Sequence, residues 1–257
     1  MSAFRCIQYL SDLHLEFYKG SLPKVDRLLR QIVPIAPLCI LAGDIGYPFE
    51  ETYRYFLEGM SRKFEHVILI HGNHEYYQNG KNKGKTMEEI VEQTRAVCVD
   101  LPRVHFLHNE TWDYFDVRFI GSVLWSELKD PQRLINDSRL IGEFSLPLWN
   151  ELHYAHKEWL DGALNSAEDQ GKRAVVITHH LPSMSLIAEK WKHLGDFNQC
   201  FASTCDDLIR PPAIFWIYGH THEPANTVLQ GVQCVANPIG YPGENPKPNY
   251  NAFLPLP

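Results

Sequence analysis

Nine side chains able to bind a metal ion or move a proton follow five short apolar runs: Asp12, His14, Asp44, Asn73, His74, His179, His180, His220 and His222. Asp12-Leu13-His14 and His220-Thr221-His222 repeat a ligand type at every second residue, and an extended chain points alternate side chains the same way. Imidazole mixed with carboxylate suits zinc, iron or manganese better than an all-oxygen calcium or magnesium cage. The set exceeds what one tetrahedral ion takes and suits two ions sharing a carboxylate.

The elements that must position these residues can be read from the same runs. Cys6–Leu10, Leu38–Ala42, Val67–Ile70, Ala174–Thr178 and Ile214–Tyr218 each lead directly into polar residues or glycine. Apolar along their length, they predict buried strands covered on both faces. Helical patterns over Lys24–Val33 and Glu50–Phe64 separate the first three, and that βαβαβ order implies a parallel sheet. Ligands of open α/β sheets bind outside the carboxyl ends of the strands, where all five polar clusters fall. Farther on, Thr111–Phe115 and Val117–Ile120 predict a hairpin around Asp116 that continues through Gly121–Trp125. Leu146–Ala167 predicts a long amphipathic helix, and Thr227–Leu229 with Val232–Val235 a second hairpin. The last twenty residues hold six prolines and predict an irregular tail over 238–257. With no repeat and no linker composition, one domain over 1–257 is expected.

The 257 residues carry a formal charge of −7, which weighs against duplex nucleic acid as a partner. Thirteen histidines are more than a chain of this length usually carries and direct attention to metal binding. Six scattered cysteines, without a CxxC pair, read as reduced thiols. No secretory leader and no run near the roughly 20 apolar residues of a membrane span is visible, so a cytoplasmic location is expected.

In chain order the motifs read Asp12-x-His14, Gly43-Asp44, Gly72-Asn73-His74-Glu75, Thr178-His179 and Gly219-His220-x-His222. This relay resembles the calcineurin-like metallophosphoesterases, and Trp216–His222 with Asn237-Pro238-x-Gly240-Tyr241 is similar to a subgroup of small, uncapped members. The resemblance implies an α/β fold, a four-layer αββα sandwich of two mixed β-sheets packed face to face with helices outside. It implies two divalent or trivalent transition-metal ions (Mn, Fe or Zn). Asp12, His14, Asp44 and His222 would hold one; Asp44, Asn73, His179 and His220 would hold the other. The implied reaction is hydrolysis of a small or nucleotide-type phosphate ester by a metal-bridging hydroxide, with a phosphodiester favoured over a phosphomonoester. His74 is the implied proton donor to the leaving oxygen. An Asp that pairs with this histidine often follows it in the family. Glu75 stands there instead, one methylene longer, and its reach to His74 is left open.

Of His179 and His180 the family pattern selects the first, leaving His180 packed or supporting a ligand. Asn136, Asp137 and Arg139 resemble a polar Asn-Asp-x-Arg element of the small members. Asn136, Arg139 and Tyr241 are candidates for substrate contact, and Arg139 equally for a structural ion pair. Gly43-Asp44-Ile45-Gly46-Tyr47-Pro48 lacks the Arg of the GDxVDRG stretch in Ser/Thr protein phosphatases, which disfavours protein dephosphorylation. Ile239 stands where small members often carry Arg. A non-catalytic scaffold of the same fold is the alternative from another class, and the retention of every ligand type together with His74 weighs against it. Lys81, Lys83 and Lys85 read as a solvated loop before an anion-steering one, and His153 and His156 as a solvated helix face. His66, His71, His105, His108, His193, Cys200 and Cys205 are assigned no site role.

Overall fold

Leu38–Ala42 contains no polar residue because both of its faces are covered. Leu38, Ile40 and Ala42 pack on one side, Cys39 and Leu41 on the other, and all five are buried. The period of two sorts the neighbouring strands in the same way. Each fully buried Val, Leu, Ile or Phe among them contributes about 1.5–3 kcal/mol relative to exposure.

The protein is described here by a computed structural model covering residues 6–129 and 135–256. Residues 1–5, 130–134 and 257, which the expected domain and tail include, lie outside the described residues. The chain runs β1 (Cys6–Leu10), α1 (Leu22–Gln31), β2 (Leu38–Ala42), α2 (Glu51–Lys63), β3 (His66–Ile70), α3 (Met87–Val99) and β4 (Val104–Phe106). It continues through β5 (Glu110–Tyr114), β6 (Val117–Gly121), α4 (Asp137–Leu140), α5 (Leu146–Asp169), β7 (Arg173–Ile177) and β8 (Ala213–Tyr218). The hairpin β9 (Ala225–Leu229) and β10 (Val232–Ala236) precedes β11 (Phe253–Pro255).

Two mixed sheets result, ordered β11-β1-β2-β3-β4 and β5-β6-β7-β8-β10-β9. Pairing is parallel inside both sheets and antiparallel only at β11, β5 and β9. Ile40, Ile68 and Ile70 of one sheet meet Phe119, Ile177 and Ile217 of the other in a shared core. The outer face of the first sheet packs on α1, α2 and α3, whose buried stripes include Leu28, Phe56 and Ile90. The outer face of the second packs on Leu160 and Leu164 of α5. The four layers implied by the resemblance are therefore present.

Three expectations are corrected. The β6 strand ends at Gly121 instead of continuing through Trp125. Leu124 takes a left-handed φ of 50°, and the Val123 carbonyl accepts the N–H groups of His179 and His180. The tail is not wholly irregular, because β11 pairs with β1 in the register Ile7↔Leu254. An edge strand tolerates proline, since one side of it needs no ladder donor. His153 and His156 are not solvated: each is only 3% exposed. They continue the buried stripe of Trp149, Leu160 and Ala163 on α5. His153 Nδ1 lies 2.6 Å from the Trp125 carbonyl and His156 Nδ1 3.2 Å from Ser122 Oγ, so both brace the segment after β6. Among the described residues, no helix is long and apolar enough to cross a membrane.

Candidate metal centre

The polar clusters converge where both sheets present their strand carboxyl ends. Asp12 and His14 follow β1, Asp44 follows β2, Asn73 and His74 follow β3, His179 follows β7, and His220 and His222 follow β8. The convergence does not arise from extended alternation, as the two-residue spacing predicts. Asp12 (φ 55°), His14 (φ 49°), Asp44 (φ 55°), His220 (φ 72°) and His222 (φ 55°) all adopt the left-handed region. Outside glycine that region costs on the order of 1–3 kcal/mol per residue and persists only where the surroundings over-determine it. Here they do. Asp12 N donates to the Gly43 carbonyl (3.0 Å), His14 N to that of Asp44 (2.9 Å), and Gly240 N to that of Asp12 (3.0 Å). Gly72 is needed for space, since a Cβ there would collide with Asp44 Oδ1 and the His179 ring.

Each imidazole of the predicted ligand set uses one nitrogen on a protein oxygen and turns the other inward. His14 Nδ1 donates to Glu16 Oε1 (3.0 Å), His222 Nδ1 to Glu244 Oε2 (2.6 Å) and His179 Nδ1 to the Ala42 carbonyl (3.0 Å). His220 does so through Nε2, 3.2 Å from the Cys200 carbonyl, so Cys200 has a site role through its backbone after all. With the outer nitrogens so committed, His14 Nε2 and His222 Nε2 face each other at 2.9 Å, and His222 Nε2 lies 3.4 Å from Asp12 Oδ1. With both imidazoles neutral, these nitrogens and the carboxylate repel unless a proton or a metal ion sits among them. In the second group the ligand atoms of Asp44, His179 and His220 lie within 4.8 Å of one another. Asp44 Oδ2 stands between the groups, 3.3 Å from His179 Nε2 and 3.8 Å from His14 Nε2. Asn73 Oδ1 lies 3.0 Å from His179 Nε2. The amide is held that way round because its Nδ2 donates to Asp137 Oδ1 (2.6 Å) and to the Tyr77 hydroxyl (3.1 Å).

The electrostatics favour the same occupant. Burial alone would depress the imidazoles, yet the Asp44 carboxylate holds His179 up at about 10, and the bond to Asp12 holds His222 up at about 9. Burial would raise Asp12, yet its bond to His222 holds it down at about 2. Ionised carboxylates beside imidazoles that bind protons at His179 and His222 mark a cluster that draws positive charge, while burial pushes His220 down to about 3 and keeps its lone pair free. Donor set, orientation and field thus fit two transition-metal ions.

Glu75 does not reach His74. Its carboxylate is fully buried and accepts the N–H groups of Gly72 (2.7 Å), Ile45 (2.7 Å) and Asp44 (3.2 Å), tying the loops after β2 and β3 together. Burial and the nearby Asp44 push it up to about 8. The partner of His74 is Glu16, whose Oε1 lies 2.9 Å from His74 Nδ1 and accepts from His14 as well. His74 Nε2 faces the Tyr241 hydroxyl at 3.2 Å. Tyr241 and Asn136 border a cavity of about 350 Å³ above the cluster. Arg139 is exposed on α4 and is not among the described residues lining that cavity, nor are Lys81, Lys83 and Lys85. His180 is packed, its ring 4.2 Å from that of His220 and 5.4 Å from that of Trp125. Sequence reasoning named Asp137 without giving it this role, and it missed Glu16, Tyr77 and Glu244. Only Glu16 left a trace, as the continuation of Asp12-x-His14 by one more alternate position.

A sequence profile described as calcineurin-like phosphoesterase matches residues 8–224, which takes in every motif from Asp12 to His222. An uncharacterised protein of Acanthamoeba polyphaga mimivirus is 27% identical over 275 residues, covering 97% of this chain and 95% of that one. Among solved structures, a phosphopantetheinyl hydrolase from Mycobacterium tuberculosis superposes with a TM-score of 0.69 at 19% identity, covering 94% of this chain and 92% of that one. A dimetal phosphatase from Danio rerio superposes with a TM-score of 0.53 at 13% identity, covering 91% and 87%. At such identities these two structures speak to the fold alone, while the profile covers most of the chain. The chain belongs to the calcineurin-like phosphoesterase family.

Proposed function

We propose that the protein hydrolyses a phosphodiester of a small or nucleotide-type substrate with two transition-metal ions (Mn, Fe or Zn). Asp12, His14, Asp44 and His222 would hold one ion, and Asp44, Asn73, His179 and His220 the other. The observation that carries this reading is the inward turn of four imidazoles around Asp12 and Asp44, each with its outer nitrogen on a protein oxygen. When bound, such ions lower the pKa of a ligand water and neutralise phosphoryl oxygens. The chain's own residues do the rest. His74 borders the cavity through the nitrogen that faces Tyr241 and delivers a proton to the leaving oxygen, with Glu16 holding its orientation. Asp137 keeps the Asn73 oxygen aimed inward.

Two observations favour a diester over a monoester. None of the described residues lining the cavity is Lys or Arg, so a single negative charge is met more easily than a dianion. A diester also has two organic arms, and two hollows meet at His74, Tyr77, Asn136 and Tyr241. All six cysteines are free, which supports a reducing, cytoplasmic setting. The shared inter-sheet core supports reading the chain as one domain.

The test is turnover by metal-quantified protein on a panel of monoesters, diesters, cyclic nucleotides, a phosphopeptide and a phosphopantetheinyl ester. Hydrolysis of a diester in proportion to bound metal is the expected result. Folded, metal-free and inert protein would return the scaffold reading, and preference for the phosphopeptide the protein-phosphatase one. Gly72→Ala is expected to destabilise the metal-free chain by roughly 1–3 kcal/mol through overpacking and to weaken metal binding at Asp44 and His179. Thermal melts with and without metal read both effects. An undiminished metal-induced rise in Tm counts against that ligand pair.

A further inference from the structure

We propose that the substrate's phosphate carries an uncharged, apolar arm that lies against a wall formed by Ile187, Trp191, Leu194, Phe197 and Phe201. The inference rests on the phosphoesterase reading and extends it to the class of substituent. The cavity above the cluster is bounded by Asp44, Asn73 and His220 on one side and by these five residues on another. Its apolar surface begins at the candidate metal centre itself. The Phe201 ring lies 5.1 Å from that of His220, and the Phe197 ring 5.7 Å from that of Phe201. Farther out, Trp191 and Leu194 remain 38% and 36% exposed. Two large apolar side chains left open beside a concave site are ones a ligand covers.

The wall is built into the fold. Trp191, Leu194 and Phe197 are carried by a 3-10 segment, Glu189–Cys200, that turns at Gly195 (φ 55°), and Ile187 and Phe201 flank it. Asn198 pins that segment from within: its Nδ2 donates to the Trp191 carbonyl (3.0 Å), and its own carbonyl accepts from Phe201 N and Ala202 N, both at 3.0 Å. Asn198 is 4% exposed, so these bonds are sheltered from water. The charge pattern points the same way. The cavity's carboxylates outside the ligand set are committed, Asp137 to Asn73 and Tyr77, and Glu244 to His222 and Tyr241 N. None of the described lining residues is a Lys or Arg, and the Lys190 ammonium, 4.9 Å over the Trp191 ring, is already paired with Glu223.

The test is calorimetric binding to the metal-loaded protein, a readout separate from turnover. The probes are methylphosphonate, 1-naphthylmethylphosphonate and phosphonoacetate. The naphthyl probe is expected to bind at least about tenfold tighter than methylphosphonate, and phosphonoacetate no tighter than methylphosphonate. Trp191→Ala and Leu194→Ser, both at partly exposed positions, are each expected to remove about three- to tenfold of the naphthyl advantage. Methylphosphonate binding should stay within about twofold in both variants. Equal affinity for the naphthyl and methyl probes overturns the inference, as does a naphthyl advantage untouched by both variants or tightest binding of phosphonoacetate. Absence of turnover on the whole panel would instead overturn the phosphoesterase reading, and the two failures are read in different experiments.

Discussion

Asp44→Asn is expected to leave the protein with at most one metal ion per chain and without measurable turnover. Asp44 Oδ2 is the oxygen that stands between His14 Nε2 and His179 Nε2, so both candidate ion positions depend on it. Its Oδ1 is already taken by the His74 N–H at 2.9 Å. An amide keeps one oxygen and puts an NH2 group where the other stood. If the remaining oxygen serves His74, an NH2 group with no lone pair to offer stands where both ions would need a ligand; if it faces the metals, the His74 N–H loses its partner. The change also removes one of the two carboxylates in the ligand set, Asp12 and Asp44. Loss of a residue that merely supports a ligand costs roughly 10–100-fold in metal affinity or activity, and loss of a shared ligand should exceed that. Elemental analysis after dialysis, beside turnover on the best diester, reads both. A variant that retains two ions per chain would sink the ligand assignment. The fold should survive, because the strands that carry the site are held by a core in which Asp44 takes no part. The metal-induced gain in stability should disappear with the ions; at a free metal concentration of 100 Kd that gain is about 2.7 kcal/mol.

The strands were legible because a buried parallel strand needs apolar residues on both faces and a ligand-bearing loop needs polar ones immediately after it. Leu38–Ala42 before Gly43-Asp44 carries that boundary in seven letters. The seven residues proposed as ligands are brought together as the motif order implies, yet not by the backbone geometry their spacing predicts. An alternating Asp-x-His is the same string whether the chain is extended or held left-handed by bonds to the next loop. Those bonds come from Gly43, Asp44 and Gly240, none local to the motif.

The supporting carboxylates were harder to find, for a different physical reason. Glu16, Asp137 and Glu244 lie on a short 3-10 turn, a four-residue helix and the Pro-rich tail, where no hydrophobic period marks a buried position. Adjacency left the role of Glu75 open. Sequence neighbours on a tight turn diverge, so the residue beside His74 braces the backbone of the loop after β2, while Glu16 crosses to the imidazole. His153 and His156 were misread because a polar type inside an apolar stripe looks like a gap in it. Both in fact complete the stripe and satisfy Trp125 and Ser122.

His74→Gln is expected to keep both metal ions and to lower kcat by about 10²–10⁴-fold, the usual worth of a positioned general acid. The loss should be larger for an alkoxide leaving group than for p-nitrophenolate, which departs without a proton. That dependence separates proton donation from packing, because a structural role would lower both substrates alike. Glu16→Gln supplies the second half of the argument. Glu16 Oε1 accepts from both His74 Nδ1 (2.9 Å) and His14 Nδ1 (3.0 Å), so one oxygen orients the proton donor and a candidate metal ligand together. The amide can keep that oxygen on both imidazoles, but it gives up the negative charge that holds them, and its NH2 takes the buried place of Oε2, which has no hydrogen-bond partner among the described residues. The expected result is a loss of roughly 10–100-fold shared between metal affinity and kcat. The part that falls on kcat should keep the leaving-group dependence of His74→Gln. Glu75→Gln should not show it, since Glu75 binds backbone N–H groups and never meets the imidazole. A leaving-group effect in Glu75→Gln equal to that in Glu16→Gln, at matched metal content, would give Glu75 the role that its position beside His74 left open.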